Sequence, residues 1–132
     1  MLKLEIVTPE KRVLDAEVDS VTVPTASGEA GILPHHAPLV SALRPGVLAY
    51  SVKGSTDRIA VSGGFVEVNN DKVAVLVDTA ETYADIDATS ARTDRESAER
   101  SAASAGPITA EEAESAREAI DLADARIAVA GR

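Results

Sequence analysis

The chain has 132 residues, a formal net charge of −9 and no cysteine, and 45% of its residues are hydrophobic. This length suits one ordinary domain or a smaller domain with an appendage. The lack of cysteine excludes a disulfide framework, a thiolate metal site and a cysteine nucleophile. The acidic balance argues against a nucleic acid partner, which needs a basic face to displace counterions. No apolar run reaches the roughly 20 residues that span a bilayer, so we expect any membrane association to go through a partner.

The composition changes near residue 84, which divides the chain into two architectures. All Lys and every Val but Val129 precede this point, and Ala becomes the main apolar residue after it. β-Branched residues favour strands and Ala favours helix. The sequence therefore predicts a β domain over residues 1–84 and a helical segment over residues 85–132.

The β domain begins with strict alternation, since Leu2, Leu4 and Ile6 share one face of a strand. Further short apolar runs follow, separated by turn signals rich in Gly, Pro, Asn and Asp. Residues 72–77 are nearly continuous in apolar character, which predicts a central strand covered on both faces. Short strands at this spacing indicate an antiparallel sandwich or a flattened barrel.

The helical segment contains two amphipathic repeats that predict an αα-hairpin. In the first repeat Arg95 interrupts a stripe of alanines, which are Ala88, Ala91, Ala98, Ala102 and Ala105. Gly106-Pro107 ends the first helix, and Thr109 with Glu112 forms a capping box at the start of the second. The second seam runs through Ala113, Ala116, Ile120, Ala123, Ile127 and Ala130. The predicted fold class is an N-terminal antiparallel β-sandwich followed by a C-terminal α-helical hairpin.

The alanine seams predict that the hairpin packs only weakly against any one surface. Each buried methyl group contributes only about 0.8 kcal/mol, so contacts between alanines offset little of the entropy lost on ordering. Two interpretations stay open. The hairpin is either an ordinary surface element held on the sandwich or an element that docks in one state and extends in another.

The adjacent His35 and His36 are the only histidines of the chain and the first candidates for chemistry. In an extended segment neighbouring side chains point to opposite faces, so the pair cannot readily chelate one ion. A rigid loop between Pro34 and Pro38 explains them better than a metal site or a proton relay. We therefore predict no catalytic residue, metal or cofactor, and we favour binding or regulation over catalysis.

Three segments, taken in chain order, carry a family resemblance. They read GEAGILPHHAPL over residues 28–39, followed by LRPG over 43–46, then AVSGGFVEV over 60–68 and VLVDTA over 75–80. They resemble the motifs GE-x-GI-x-P-x-HAPL with a Pro-Gly turn, SGG-x-x-EV and V-x-V-L-x-D-T-A. These motifs are typical of the epsilon subunit of F-type ATP synthases.

The resemblance implies a ten-stranded β-sandwich joined to a helix–turn–helix, with no active site of its own. It also implies a peripheral subunit at the cytoplasmic face of the bacterial cell membrane, which couples rotation of the c ring to ATP synthesis. The gamma subunit and the c-subunit ring are the implied partners of the sandwich. The alpha/beta catalytic head is the implied transient partner of the hairpin, which inhibits ATP hydrolysis when it extends along gamma.

The family's ring-facing loop has counterparts in this chain. The matching positions are Glu29, Gly31, Ile32, Pro34, His36, Ala37 and Pro38. A loop braced by proline loses little entropy on docking, and Glu29 offers a carboxylate to a polar ring surface. His35 stands where relatives often have Gly, so a positive φ would be costly there and we expect a slightly different loop tip.

Some relatives bind ATP at the start of the hairpin through the pattern ID-x-x-RA. The matching positions here are Ile86, Asp87 and Ala91, but Ser90 replaces the Arg that supplies the positive charge. Arg92 lies two positions further on, about 200° around a helix from the required side. The sequence therefore argues against ATP binding.

The charge of the second helix bears on inhibition. Inhibitory hairpins in the family are usually basic there and meet an acidic segment of the catalytic beta subunit. Here residues 110–132 carry Arg117, Arg126 and Arg132 against six acidic residues. Like-charge approach weakens insertion, although Arg126 and Arg132 lie near the tip. We expect weak or conditional inhibition.

Two other classes of protein remain as alternatives. The first is a free-standing β-sandwich adaptor whose helical tail drives oligomerisation, although a seam of about two and a half heptads is short for an autonomous coiled coil. The second is a histidine-dependent hydrolase. Co-fractionation of the native chain with a membrane-bound ATPase complex would separate the epsilon-type function from both.

Overall fold

Ten strands, a 3₁₀ turn and two helices follow one another along the chain, and the computed structural model describes residues 1–104 and 109–131. The strands are β1 Leu2–Val7, β2 Arg12–Val18, β3 Ser20–Thr25, β4 Gly28–Ile32, β5 Leu39–Leu43, β6 Gly46–Val52, β7 Ser55–Val61, β8 Gly64–Asn69, β9 Lys72–Val77 and β10 Ala80–Glu81. The 3₁₀ turn spans Tyr83–Asp85, and the helices are α1 Ala88–Ser104 and α2 Ala110–Ala130.

The strands form one sheet that folds over on itself. Its order is β10-β7-β6-β3-β5-β8-β9-β1-β2, and β4 pairs with β3 outside this path. Residues from both halves of the sheet share one buried cluster, which includes Leu4, Val23, Leu48 and Val75. The predicted sandwich is confirmed, with one departure from an antiparallel sheet, since β1 and β9 pair in parallel.

The alternation of β1 is confirmed, because Leu2, Leu4 and Ile6 are all fully buried. The prediction for residues 72–77 is half wrong. This segment is a central strand, β9, paired with β8 and β1, but only the face that carries Val73, Val75 and Val77 is buried. Leu76 remains 52% exposed. The apolar run therefore reflects the high β propensity of this segment, but it does not show that both faces of the strand are covered.

A close backbone approach explains one glycine of the SGG motif. A Cβ atom at Gly64 would collide with the carbonyl oxygen of Leu76 and with Val77, its cross-strand partner on β9. Only glycine lets the start of β8 come this near to the neighbouring strand. The motif therefore positions Phe65, the next residue on β8, opposite Leu76.

The predicted helical hairpin is confirmed and lies folded against the sandwich. Helix α1 packs on α2, and α2 contacts β6, β7 and the 3₁₀ turn. The Thr109 Oγ1 atom accepts a hydrogen bond from the Glu112 amide at 3.1 Å, which is the expected N-cap of α2. The predicted Gly106-Pro107 turn and Ala105 lie outside the described residues.

Helix α2 packs on two sides, of which the sequence indicated one. Ala123 of the predicted seam is buried, and its other five members are partly buried. In addition Ala125 and Val129, which are not on that seam, are buried at 4% and 1% exposure. They pack against Ala60 of β7, so a second face of the helix contacts the sandwich.

Candidate interaction surfaces

The first candidate surface is the segment between β4 and β5, called here the 33–38 loop. Among the positions matched to the ring-facing loop, the exposed ones are Glu29, Gly31, Ala37 and Pro38, and the partly buried ones are Pro34 and His36. Ile32 is different, because it is fully buried in the sandwich core. It anchors the loop and does not reach a partner directly.

The 33–38 loop contains a tight turn with an unexpected backbone conformation. The His36 amide donates to the Leu33 carbonyl at 3.1 Å, with Pro34 and His35 at the central positions. His35 has φ 69°, which makes this a type II turn. We expected the cost of a positive φ to change the loop tip, but His35 takes that conformation. Its amide donates to the Asp71 Oδ1 atom at 2.6 Å, which offsets the cost.

The second candidate surface is an apolar row across four strands on the outside of the sandwich. Its members are Val7 on β1, Leu76 on β9, Phe65 on β8 and Ala42 on β5, each paired with the next in the sheet register. Phe65 is 60% exposed, and Leu76 is similarly accessible. We call these four residues the outer apolar row. Adjacent exposed apolar side chains of this kind are typical of a protein interaction surface.

Sequence reasoning missed the outer apolar row. The signal was present in β8 and β9, where apolar residues occupy both alternating positions at Phe65, Val66, Val75 and Leu76. The pattern alone does not distinguish a strand that is covered on both faces from a strand whose outer apolar face is exposed to solvent. The sheet order decides, because it aligns these residues with Ala42 and Val7.

The third candidate surface is the underside of the docked hairpin, and its apolar part is small. Ala125 and Val129 of α2 meet Ala60, with Val47 and Ile86 packed at the edge. Three of these five side chains are buried, and two of those three are alanines. Burial at about 0.8 kcal/mol per methylene therefore holds the hairpin only modestly.

Arg126 supplements this contact with charge. Its Nη1 atom donates to the Asp94 Oδ2 atom on α1 at 3.1 Å, and its Nη2 atom donates to the Glu81 Oε2 atom on β10 at 3.5 Å. Its Nε atom lies 2.9 Å from the Glu81 Oε1 atom without the alignment of a hydrogen bond. The Arg126 side chain is 16% exposed. One guanidinium thus joins the sandwich, α1 and α2.

Two further ion pairs involve α2. Arg95 of α1 donates hydrogen bonds to Asp124 of α2 and to Glu99 of its own helix. These bonds, led by the one to Asp124, raise the pKa of Arg95. Arg44 lies 3.8 Å from Asp121 of α2. All of these pairs are more exposed than the one between Arg126 and Glu81, so they contribute less.

The positions matched to the ATP pattern have other structural uses. The Asp87 Oδ1 atom accepts from the Thr89 and Ser90 amides at 3.0 and 3.1 Å, so it caps α1. Ala91 is fully buried and Ile86 packs beneath the hairpin. Arg92 is exposed. In the docked hairpin, Asp87 is thus used in capping, and Ala91 and Ile86 in packing.

The arginines proposed for inhibitory contact are in unequal positions. Arg117 is exposed on α2, whereas Arg126 is mostly covered by its acidic partners. Arg132 lies outside the described residues. Of the two that the structure describes, Arg117 is therefore the one presented to a partner while the hairpin is docked.

The two histidines take part in local loop contacts. The His36 Nδ1 atom lies 2.7 Å from the Ala37 carbonyl oxygen, and the His35 Nδ1 atom lies 3.8 Å from the Asp71 Oδ2 atom. Within the described part of the chain, no three His, Asp or Glu side chains are grouped closely enough to hold a metal ion.

None of the described helices combines the length and apolar character needed to cross a membrane.

The fold and its surfaces define a class of protein, a β-sandwich carrying a folded helical hairpin and presenting contact surfaces on its exterior. A family model for the ATP synthase delta/epsilon chain β-sandwich domain matches residues 1–83. The ATP synthase epsilon chain of Carboxydothermus hydrogenoformans is 52% identical over 86 residues, which are 65% of this chain and 64% of that protein. The epsilon chain of Desulforamulus reducens is 50% identical over 98 residues, 74% of each chain.

A solved structure extends the likeness to the hairpin. A chain in the Euglena gracilis mitochondrial ATP synthase, in a complex described as OSCP, F1 and c-ring, superposes with a TM-score of 0.80 at 25% identity. The match covers 96% of this chain and 79% of that one. The protein belongs to the ATP synthase delta/epsilon family, and the similar sequences within it are epsilon chains.

Proposed function

We propose that the chain is a non-catalytic central-stalk subunit that couples rotation of the c ring to ATP synthesis through gamma. Its β domain, residues 1–84, would bind the stalk and ring, and residues 85–132 would form the regulatory hairpin. The observation that carries this proposal is the pair of exterior surfaces on one rigid sandwich, the outer apolar row and the 33–38 loop. A subunit that transmits torque needs two such surfaces on a body that does not deform.

The outer apolar row supports a contact with gamma. Phe65 and Leu76 are large, exposed and directly paired across β8 and β9. Stable subunit contacts bury apolar cores of this kind, whereas the polar loops of a membrane ring call for polar partners. We therefore assign the outer apolar row to gamma and the 33–38 loop to the ring.

The 33–38 loop supports a polar contact with the c ring. Ala37 is exposed beside a turn that Pro34 and Pro38 brace, whereas Glu29 is exposed on β4, where it pairs with Pro24 of β3. Such a loop has little conformational entropy to lose on binding. Association with the ring and gamma would place the protein peripherally at the cytoplasmic face of the bacterial cell membrane.

The hairpin supports conditional inhibition of ATP hydrolysis. While it is docked, Arg126 is paired with Glu81 and Asp94 and cannot meet the alpha/beta catalytic head. Extension would release Arg126, which lies on the same helix as Arg117, for contact with the head. These ion pairs stabilise the docked state without a ligand. Asp87, which the ATP pattern would assign to nucleotide binding, is used here as a helix cap. We propose that ATP is not required for docking.

The test is removal of α2 from the assembled enzyme. A chain that ends before Thr109 should assemble with gamma and the ring, because the outer apolar row and the 33–38 loop are intact. ATP hydrolysis by the complex should rise modestly, by about twofold, in proportion to the weak inhibition that the acidic α2 predicts. Loss of assembly would refute the division into a binding domain and a regulatory hairpin.

Fractionation provides the second test. The native chain should sediment with membranes that carry the ATP synthase and should be released when the F1 portion is stripped from them. A chain that stays in the supernatant at all times would favour the free-standing adaptor.

A further inference from the structure

The 33–38 loop and the turn between β8 and β9 meet through two residues that both have left-handed backbones. His35 has φ 69° and Asp71 has φ 60°. Neither is glycine, and a side chain makes this conformation unfavourable. The two residues are in direct contact across 36 positions of sequence, so the backbone conformation of His35 is coupled to a distant turn.

The left-handed backbone conformation of His35 is stabilised by backbone hydrogen bonds and not by its side chain. His35 occupies the third position of the type II turn, where glycine is usual. Its imidazole is 91% exposed, so packing of the ring does not hold the backbone. Besides the bond from the His36 amide to the Leu33 carbonyl that closes the turn, the His35 backbone is held by its own amide hydrogen bond to the Asp71 Oδ1 atom at 2.6 Å. In the described part of the chain, this is the one hydrogen bond that joins the loop to a segment other than its flanking strands.

Asp71 is itself fixed on both sides. It forms a two-residue hairpin turn with Asn70, and both have positive φ, as in a type I′ turn. Its carbonyl oxygen accepts a hydrogen bond from the Lys3 amide at 2.9 Å, which ties the turn to β1. The carboxylate that accepts the bond from His35 therefore belongs to a turn that is fixed to the sandwich.

We propose that Asp71 is a positioning residue for the c-ring contact. Its carboxylate holds His35 in the left-handed conformation, and that conformation presents Pro34, His36 and Ala37 to the ring. The role in ring binding rests on the function proposed above, whereas the effect on the loop does not. A hydrogen bond to a carboxylate is stronger than one between neutral groups, which suits a bond that must outweigh an unfavourable φ.

The effect on the loop is tested first, in the full chain by amide hydrogen exchange. Asp71→Ala should speed exchange of the His35 amide by about tenfold or more, because its acceptor is lost. Asp71→Asn keeps an oxygen acceptor and tolerates a left-handed backbone, so it should stay within about threefold of the parent. An unchanged His35 amide in Asp71→Ala would overturn the proposal.

The chain supplies a matched control. The Asp19 Oδ2 atom accepts a hydrogen bond from the Lys53 amide at 2.7 Å, and Lys53 also has a positive φ, of 50°. Asp19→Ala therefore removes an equivalent bond at another turn. It should lower the thermal midpoint by less than Asp71→Ala, which also places alanine at a positive φ, and it should leave the His35 amide unchanged.

Ring binding is tested by rebinding of each full-length variant to membranes whose ATP synthase has been depleted of this subunit. Asp71→Ala should bind about tenfold more weakly, and Asp71→Asn and Asp19→Ala should bind like the parent. His35→Gly added to Asp71→Ala should recover binding at least threefold, because glycine takes a positive φ without cost.

A direct change in the loop separates the two proposals. Ala37→Arg places a bulky charge on the exposed loop and should weaken rebinding. If Ala37→Arg weakens rebinding and Asp71→Ala does not, the positioning role of Asp71 is wrong while the ring contact stands. If neither variant changes rebinding, the 33–38 loop is not the ring contact, and the proposed function of the loop fails together with the inference.

Discussion

The docked state of the hairpin should depend on Arg126, and Arg126→Met tests this dependence. Methionine keeps most of the apolar stem and removes the guanidinium that joins Glu81, Asp94 and α2. The apolar contact of Ala125 and Val129 with Ala60 remains. The variant therefore isolates the contribution of charge to docking.

The docking free energy that Arg126→Met should remove follows from how far Arg126 and its acidic partners are buried. The Arg126 side chain is 16% exposed, the Glu81 side chain is 27% exposed and that of Asp94 is 62% exposed. An exposed ion pair contributes about 0.2–1 kcal/mol, and breaking a fully buried one costs about 3–5 kcal/mol. The intermediate burial gives about 2 kcal/mol, which is a shift of about 30-fold in the docking equilibrium.

The assay is intramolecular energy transfer between the sandwich and the hairpin. Because the chain has no cysteine, two cysteines can be introduced for dyes at the exposed positions Lys53 and Ser101. Arg126→Met should lower the docked fraction, and added salt should lower it in the parent more than in the variant. Arg117→Met is the matched control, since it removes an exposed arginine from the same helix.

A double-mutant cycle with Glu81→Gln decides whether the pair acts as a unit. A direct interaction requires that the two substitutions together cost less than the sum of their separate effects. Strict additivity would show that Arg126 and Glu81 do not act as a unit, and equal docked fractions in Arg126→Met and Arg117→Met would show that the Arg126 guanidinium does not hold the hairpin.

Three further predictions concern the apolar surface, acid and nucleotide. Phe65→Ser with Leu76→Ser should weaken binding of the purified chain to gamma by about 30-fold, from the loss of about 2 kcal/mol of apolar burial; calorimetric titration checks this, and an unchanged thermal midpoint is expected because both side chains are exposed. Hydrogen bonds from the Thr82 amide and hydroxyl lower the pKa of Asp85, so the stability they contribute is present above about pH 4 and is lost as the pH falls below it; the Thr82 amide shift should titrate in that range, and Asp85→Asn should abolish the change. Millimolar ATP should leave the thermal midpoint of the isolated chain unaltered, and a stabilising shift would show that Ser90 does not prevent binding.

Alternation and residue type predicted much of the fold. Leu2, Leu4 and Ile6 could be assigned to the core because a strand places alternate residues on one face. Thr109 could be assigned as a helix cap because its hydroxyl reaches an amide within its own turn. Both predictions depend on interactions a few residues apart, which the order of residues fully specifies.

The candidate surfaces were predicted less completely. The motif located the 33–38 loop, yet it did not distinguish Ile32, which is buried in the core, from its exposed neighbours. The conformation of His35 was also missed, because its cost is offset by Asp71 from a distant turn. The ion pairs of Arg126 were missed for the same reason, since Glu81 and Asp94 lie 45 and 32 positions away.

A valine-rich sandwich, an alanine-rich hairpin and an acidic net charge follow from residue composition, propensity and period alone. Which surfaces are open to partners follows only from how the chain folds. Sheet register aligns the half-buried Val7 with the exposed Leu76, Phe65 and Ala42 in one outer row. Docking of α2 covers Arg126 and leaves Arg117 exposed. Exposure depends on what lies across the fold from a residue, and only the folded chain specifies that neighbour.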